Sequence, residues 1–331
     1  MGHIVTSPHV TIRNVADVAN VSTATVSRVL SGLPGASEET RQRVLKTARE
    51  LGYQGDPNAT ALRLRKSNTI GIIVPDIVNP FFTALIHELE TCAQQSGKDL
   101  FIANSQNDVI IERQRVQTLA NRRVDALLIS PVHRTMSSST IQWAHSRIPV
   151  IQIDRHAGHI APYVGADQNY AMNKALEHVT GTGCSRVAYI GYPESTSSSK
   201  ERIDAFNTYI SRHTSISSHI ETGLPPHAAQ QIADWIEFGE CKDAIIASSD
   251  LHAIAVKLEL QRRGINIPSD VVLMSFDNTS LADAANITSF QQPIDLIARK
   301  SIELVEDSDS TGEVIFLAGR IVIRGSSQRE S

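Results

Sequence analysis

From about Ile70 onward, short apolar runs rich in β-branched residues alternate with amphipathic stretches of helical length. This alternation predicts parallel sheets covered by helices on both faces. The runs form two groups, before and after about Asp167, so we expect two doubly wound lobes with a cleft between them. Several runs end in a polar residue followed by a loop, and ligands bind at the carboxyl ends of such strands. The runs are TIGIIVP (69–75), DLFIANS (99–105), VDALLIS (124–130), IPVIQID (148–154), RVAYIGY (186–192), DAIIASSD (243–250) and DVVLMSFD (270–277).

The first 53 residues predict three short helices. Thr11 can cap the first helix, which ends at a turn over Asn20 and Val21. Ser22 can cap the second, and the third runs from Ser37 to a natural stop at Gly52. The apolar stripes are Ile12, Val15, Ala16 and Ala19, then Val26, Val29 and Leu30, then Val44, Leu45, Ala48 and Leu51.

The second helix carries small and polar residues on its outer face. A helix that enters the DNA major groove must approach closely, so bulk on that face is a hindrance. Short hydroxyls bond phosphates and base edges, and one arginine can fork onto guanine. A plain three-helix bundle would explain the apolar stripes but not this face. The residues of the face are Thr23, Ala24, Ser27 and Arg28.

Charge is distributed unevenly along the chain. The whole chain has a net charge of −4, but residues 1–66 hold nine Lys or Arg against five Asp or Glu and carry +4. The remainder therefore carries −8. A basic head on an acidic body indicates an anionic partner for the head alone, although a solvated charged face is an equal alternative on charge by itself.

Composition narrows the class of protein. No apolar run approaches the roughly 18 residues of a membrane span, and the start, MGHIVTSPHV, has no charged region or long apolar segment of a secretory signal. Cys92, Cys184 and Cys241 are scattered without a CxxC pair, which favours neither a disulfide framework nor a zinc site. We expect a cytoplasmic protein without a metal, a cofactor or a membrane partner.

Two other classes of protein are alternatives. The chain has 12 His but no HExxH, Walker loop or GxSxG motif, and the neighbouring Ser, Asp and His of SSDLHA (248–253) do not amount to triad geometry. An enzyme is therefore disfavoured. A sugar-binding protein that acts alone is the other alternative, but it would not need residues 1–66.

These motifs, in this order and spacing, resemble the lactose-repressor (LacI/GalR) family of bacterial transcription regulators over nearly the whole chain. The resemblance rests on TIRNVADVANVSTATVSRVLSG, SEETRQRVLKTARELGY, NTIGIIVPDIVNPFF, RRVDALLISP, IPVIQIDR, IPSDVVLMSFDN and QQP. It implies an all-α helix–turn–helix domain (1–53), a hinge helix and linker (54–69), and a two-lobed effector-binding and dimerisation domain (70–331) like periplasmic binding proteins of type I. It also implies a homodimeric repressor that binds a palindromic double-stranded operator.

The resemblance places DNA contacts on the head and the linker. The expected residues are Thr11, Ser22, Thr23, Ala24, Thr25, Ser27, Arg28, Asn58, Leu62 and Arg63. A leucine of the hinge helix would enter the minor groove and kink the central base step. Counting from Tyr53 and back from Ile70 places this leucine at Leu62, whereas counting from Pro57 places it at Leu64.

The resemblance also implies a sugar site at the strand ends. Acids and arginines there would bond vicinal hydroxyls, while aromatic rings cover the C–H faces; each residue alone could equally be structural. Lys200, Ala205 and Ser249 depart from the family pattern, and a binding Asn is common at the last of these positions. The set favours ribose, a ribose derivative or a ribonucleoside, with a hexose or sugar acid as the alternative. The expected residues are Asn79, Phe81, Phe82, Asp154, Arg155, Arg202, Ser249, Asp277 and Gln291.

Overall fold

The computed structural model describes residues 10–30, 32–53, 67–237, 243–307 and 312–328. The chain divides into two compact units between Asn68 and Thr69. Thr69, which the sequence analysis assigned to the linker, is already the first residue of a strand. None of the helices in the described ranges has the length and hydropathy that crossing a bilayer requires.

In its described residues 10–30 and 32–53, the N-terminal unit has three helices, as the sequence predicts: α1 (Ile12–Ala19), α2 (Thr23–Leu30) and α3 (Glu38–Glu50). Their shared core consists of Val15, Ala16, Ala19, Val26, Val29, Val44 and Ala48. Leu30 is a correction, because this last residue of α2 is exposed rather than part of the apolar stripe.

Polar caps fix where these helices start. The Oγ of Ser22 accepts a hydrogen bond from the backbone N–H of Thr25 at 3.1 Å, and Ser37 does the same for Thr40 at 3.3 Å. Gly52 follows α3 with a φ of +62°, a conformation that suits glycine because it has no Cβ. The turn between the first two helices is therefore short and defined by local bonds.

The second unit holds two six-stranded sheets, each the centre of one lobe. The first sheet has the order β11-β5-β4-β3-β1-β2, and all its strands are parallel. The second has the order β12-β10-β9-β8-β6-β7, with β12 antiparallel to β10 and the other pairs parallel. The strands are β1 (Thr69–Val74), β2 (Asp99–Asn104), β3 (Ala126–Ile129), β4 (Val150–Ile153), β5 (Tyr163–Ala166), β6 (Arg186–Gly191), β7 (Ser217–Thr222), β8 (Asp243–Ala247), β9 (Val271–Asp277), β10 (Thr288–Gln291), β11 (Val314–Leu317) and β12 (Arg320–Val322).

Helices cover both faces of each sheet, which gives every lobe two apolar clusters. The first lobe has α4 (Pro80–Gln95), α5 (Val109–Asn121), α6 (Ser138–His145) and α12 (Ile294–Glu306). The second has α7 (Gln168–Gly181), α8 (Ser197–Arg212), α9 (Pro225–Glu237), α10 (Asp250–Arg262) and α11 (Ser280–Ala284).

The chain passes between the lobes three times rather than once near Asp167. The three passages follow β5, β10 and β11, so α12 and β11 return to the first lobe after the second lobe is built. The backbone N–H of Asp167 donates to the carbonyl of Leu317 at 2.9 Å, which ties two of these passages together. The lobes are therefore joined by three separate segments of the chain.

We expect Val26→Ala to destabilise the N-terminal unit by about 2 kcal/mol, because it removes two buried methyl groups and leaves a cavity between helices. Val18 on α1 is the matched control, since 62% of its surface is exposed and Val18→Ala should change stability by less than about 0.5 kcal/mol. Amide hydrogen exchange of the N-terminal unit within the intact protein measures both. Equal effects of the two variants would contradict this packing.

Candidate functional site

A small cavity lies between the carboxyl ends of the two sheets. Its volume is about 40 Å³. Residues of both lobes line it, so any molecule held there contacts both. The lining consists of Asn79, Phe81, Phe82, Asp154, Arg155, Tyr192, Ser198, Ser199, Arg202, Ser248, Ser249, Asp277 and Gln292.

Each lobe contributes one acid from the end of an equivalent strand. Asp154 follows β4 and Asp277 ends β9, and these strands occupy the same place in the two sheet orders. Their φ angles are +61° and +98°, values at which a side chain with a Cβ is strained, most of all at Asp277. Such strain persists where the surrounding structure enforces it, and it accumulates at functional sites.

The electrostatics of Asp277 are set by burial and by a second acid. Removal from water raises the pKa of Asp277 to about 7, repulsion from Asp250 adds to the shift, and Arg202 opposes it. The amide Nε2 of Gln292 donates to Oδ1 of Asp277 at 2.7 Å. The neighbouring Asp250 accepts four hydrogen bonds, from Ser275 Oγ, Ser289 Oγ, and the N–H and hydroxyl of Thr279. One acid of the pair is thus satisfied internally, and the other has capacity for a ligand.

Asp154 lies against an arginine that follows it in the chain. Burial raises the pKa of Asp154, while the charges of Arg155 and Arg202 lower it. Arg155 Nε lies 3.5 Å from Asp154 Oδ2 and is buried without a hydrogen-bond partner. Burial also lowers the pKa of Arg155. This guanidinium therefore has a donor to offer in the cavity.

Arg202 is only 7% exposed, and its guanidinium is held in place by its neighbours. Its Nε donates to Gln168 Oε1 at 2.7 Å, and its Nη1 donates to the carbonyl of Ser248 at 2.6 Å. The guanidinium carbon lies 4.3 Å from the centroid of the Phe276 ring. Two hydrogen bonds and a cation–π contact orient the remaining N–H groups.

Aromatic rings form the apolar part of the lining. Phe81 and Phe82 are buried, and their rings meet edge to face with centroids 5.1 Å apart. The Phe82 ring lies 5.4 Å from the guanidinium carbon of Arg155. Tyr192 stands at the end of the β6 run, and burial raises the pKa of its hydroxyl. The cavity thus combines acids, guanidinia and aromatic faces.

The structure brings eight of the nine expected effector residues to this cavity. Gln291 is the correction: its Oε1 accepts a hydrogen bond from Arg320 Nε at 2.9 Å, and it does not line the cavity, whereas Gln292 does. Successive side chains of a strand point to opposite sides, so an error of one residue reverses the direction. Asn79 also caps α4, since its Oδ1 accepts from the N–H of Phe81 at 3.0 Å.

Sequence reasoning missed five residues of the lining. Tyr192 could have been found, because it closes a β-rich run as the predicted polar ends do. Ser198 and Ser199 precede Arg202 on the same helix, but nothing distinguished them from ordinary helix-capping serines. The missed residues are Tyr192, Ser198, Ser199, Ser248 and Gln292.

The expected DNA contacts in the N-terminal unit lie on and before α2. Thr11, Ser22, Thr23, Ala24 and Arg28 are exposed, while Thr25 and Ser27 are half-buried. The Ser22 and Thr25 hydroxyls are 2.9 Å apart, so part of their hydrogen-bonding capacity serves the helix start. Asn58, Leu62 and Arg63, together with the alternative Leu64, lie outside the described residues.

Comparison with known proteins decides the family. Residues 11–57 match bacterial regulatory proteins of the lacI family, and residues 176–327 match a periplasmic binding protein-like domain. The HTH-type transcriptional regulator PtxS of Pseudomonas putida is 31% identical over 337 residues, covering 98% of this chain and 97% of PtxS. The chain belongs to the lacI family. As a lacI-family protein it is a DNA-binding transcriptional repressor and not an enzyme.

Two further relatives span most of this lacI-family chain. The ribose operon repressor of Halalkalibacterium halodurans is 29% identical over 287 residues, which cover 86% of each chain. The lac repressor dimer, solved with operator and the anti-inducer ONPF, superposes with a TM-score of 0.85 at 20% identity and covers 97% of this chain and 99% of its own. The second likeness confirms the fold of the lacI-family body and head.

We expect Asp277→Asn to change how stability depends on pH. The pKa of Asp277 is about 7 in the folded protein and about 3.9 in an unfolded chain, so the native state binds the extra proton between these values. The contribution of this protonation to the free energy of unfolding is complete below about pH 4. It is lost as pH rises through about 7, at up to about 1.4 kcal/mol per pH unit.

The asparagine variant lacks this dependence. Its stability relative to the wild type should therefore increase from about pH 4 to pH 7 and level off above about pH 8. Urea unfolding across this range measures the difference. A difference that stays constant with pH would show that Asp277 titrates in its ordinary range.

Proposed function

We propose that this repressor responds to a small pentose-containing effector, ribose, a ribose derivative or a ribonucleoside, bound between its two lobes. The observation that carries the proposal is the cavity in which Asp154 and Asp277 meet Arg155 and Arg202 beside aromatic rings. Carboxylates accept from sugar hydroxyls, guanidinia donate to them, and rings cover C–H faces. The likeness to a protein named ribose operon repressor supports the same ligand class.

The charges that line the cavity bear on which sugar it would hold. A hexose or a sugar acid is the second candidate. The buried, unpartnered Nε of Arg155 would suit a ligand carboxylate, but Asp154 at 3.5 Å already balances its charge. The balance of two acids against two arginines supports a neutral ligand.

Contacts between the lobes supply a means of response. Nε2 of His156 in the first lobe lies 2.9 Å from Oε1 of Glu201 in the second, and the N–H of His156 donates to Ser197 Oγ at 2.9 Å. Arg134 Nε donates to the carbonyl of Glu194 at 3.0 Å. A ligand that binds the open and closed arrangements unequally shifts their populations, and such coupling is typically worth about 1–3 kcal/mol.

For DNA, we propose that α2 reads the major groove of a palindromic operator through the outer face defined above. Arg28 is the base-reading residue, because a guanidinium can bond guanine in two places. The hydroxyls of Thr23 and Ser27 serve phosphates and base edges. Leu62 completes the proposal as the minor-groove residue of the hinge, with Asn58 and Arg63 as further contacts to DNA.

We also propose that the protein acts as a homodimer. A two-fold protein matches paired half-sites, and the lac repressor that shares this fold was solved as a dimer on operator. β2 is an edge of its sheet and exposes Phe101 and Ile102 by 45% and 51%. An apolar sheet edge of this kind is otherwise a liability for aggregation, and pairing with a second copy covers it.

Calorimetry with ribose, ribonucleosides, hexoses and sugar acids tests the effector. We expect heat from ribose compounds and loss of about 30-fold or more in affinity in Arg202→Ala, because a buried partner of the acids is removed. Arg212→Ala on the same helix, at an exposed position, is the control and should bind as the wild type does. Binding of a hexose alone would reject the pentose while leaving the repressor function intact.

Replacement of Arg28 tests base reading. With operators selected from random duplexes, Arg28→Ala should weaken specific binding by about 1–3 kcal/mol and relax preference at one base position. Arg13→Ala, exposed on α1, should leave base preference unchanged. Identical behaviour of the two variants across single-base operator changes would remove Arg28 from the reading face.

Replacement of Phe101 tests the dimer. Phe101→Glu places a charge in the proposed apolar contact, so we expect monomers in sedimentation equilibrium and loss of tight operator binding. Ile323→Glu is the control, because Ile323 is exposed by 52% beyond β12, at the opposite edge of the other sheet. A dimer that persists in Phe101→Glu but dissociates in Ile323→Glu would place the interface elsewhere.

A further inference from the structure

Ser249 stands between the cavity and a buried histidine. It is the N-cap residue of α10, is 4% exposed, and lines the cavity. Its Oγ lies 2.9 Å from Nδ1 of His252, one helical turn further along. The direction of this hydrogen bond decides whether Ser249 presents a proton or a lone pair to a ligand.

The other nitrogen of the histidine settles that direction. Nε2 of His252 lies 3.1 Å from the backbone carbonyl of Gly223, just after β7. A carbonyl oxygen only accepts, so Nε2 carries the proton. His252 is fully buried, and burial lowers its pKa to about 4. The ring is therefore neutral at physiological pH, and its Nδ1 has a lone pair and no proton.

Ser249 must consequently donate its hydroxyl proton to Nδ1 of His252, while one lone pair of its oxygen accepts from the backbone N–H of the same residue at 3.4 Å and the second lone pair is left for a ligand. The Ser248 hydroxyl is farther from the same nitrogen, at 3.4 Å, and competes weakly. The ring cannot turn freely, because Tyr192 packs edge to face on it at 4.5 Å between centroids. We infer that His252 fixes Ser249 as a hydrogen-bond acceptor toward the cavity, so that an effector must present an O–H or N–H donor at that point.

One neighbour extends this acceptor surface on the second lobe. Oε1 of Gln292 is buried without a hydrogen-bond partner, while its Nε2 is committed to Asp277. Ser249 and Gln292 together favour a ligand that presents hydroxyl donors on this side over one that presents a keto or carboxylate oxygen. Resting on the proposed function, this assigns Ser249 as a specificity-determining residue for the effector and His252 as its positioning residue.

The direction can be tested without any ligand. In protein labelled with ¹⁵N-histidine, we expect His252 as the Nε2–H tautomer, with no titration between about pH 5 and pH 8. Ser249→Ala should move the Nδ1 resonance toward that of an imine nitrogen without a hydrogen bond, whereas Ser248→Ala, the matched control, should leave it nearly in place. A proton on Nδ1, titration near pH 6.5, or a larger shift in Ser248→Ala would overturn the assignment.

A ligand series tests the consequence for specificity. The probes are D-ribose and its monodeoxy and monodeoxyfluoro derivatives, because fluorine replaces a hydroxyl without donating a proton. At one carbon the fluoro derivative should bind about tenfold or more weaker than ribose and more weakly than the deoxy derivative. His252→Phe, which keeps the ring but not the acceptor, should narrow the gap between the fluoro and deoxy derivatives.

The outcomes separate this inference from the effector proposal. If ribose compounds give no heat while the tautomer is as expected, the pentose proposal is rejected and the assignment of Ser249 as a hydrogen-bond acceptor is retained. If ribose binds and the fluoro and deoxy derivatives have equal affinity at every carbon, the specificity role of Ser249 is rejected and the pentose proposal is retained. Folding of each variant is checked by its thermal unfolding curve.

Discussion

Parallel pairing is the constraint on which the body of this protein depends. Every strand pair of the two sheets apart from β10 with β12 is parallel, so the carboxyl ends of the strands collect at one edge of each sheet. Helices must then return the chain along both faces, which buries the strands and leaves loops at that edge. Polar residues far apart in the chain, such as Asp154 and Asp277, meet because they end equivalent strands.

The meeting of these strand ends buries charged side chains in a small cavity. Two acids and two arginines line one small cavity, and their opposite charges offset part of the cost of burying them. The balance is incomplete, since the pKa of Asp277 rises to about 7 beside a second acid. The site therefore stores unfavourable interactions that a ligand with suitable donors can relieve, which is how binding energy becomes available for a change of state.

The sequence alone predicted the parts of the fold that rest on strong periodicity. The seven runs named from it are strands, and all three N-terminal helices form where capping residues and apolar stripes indicated. Short or polar strands were not predicted, notably the edge strand β7, whose sequence SSHIET has one apolar residue, and β12, which has three residues. Their pairing depends on neighbours distant in the chain, which local composition does not encode.

The candidate site followed the same division. Eight of the nine expected residues line the cavity, several of them because they stand at strand ends, whereas Gln291 bonds Arg320 and its neighbour Gln292 lines the cavity instead. The proposed role of His252 could not be derived from the sequence: SSDLHA places it near Ser249, but the carbonyl that orients its ring belongs to Gly223 in a distant loop. Contacts made by backbone atoms across the fold are invisible to side-chain patterns.

The threefold passage between the lobes has a consequence for biosynthesis. The first lobe is built from the segment that ends with β5 and also from α12 and β11. These last two elements follow all the parallel strands of the second lobe in the chain. A ribosome that has delivered the first 166 residues has therefore released a lobe that lacks an edge strand and the helix covering Phe81 and Leu85. That apolar face stays exposed to aggregation until residue 317 has been synthesised. The first lobe therefore begins to form early but is completed late.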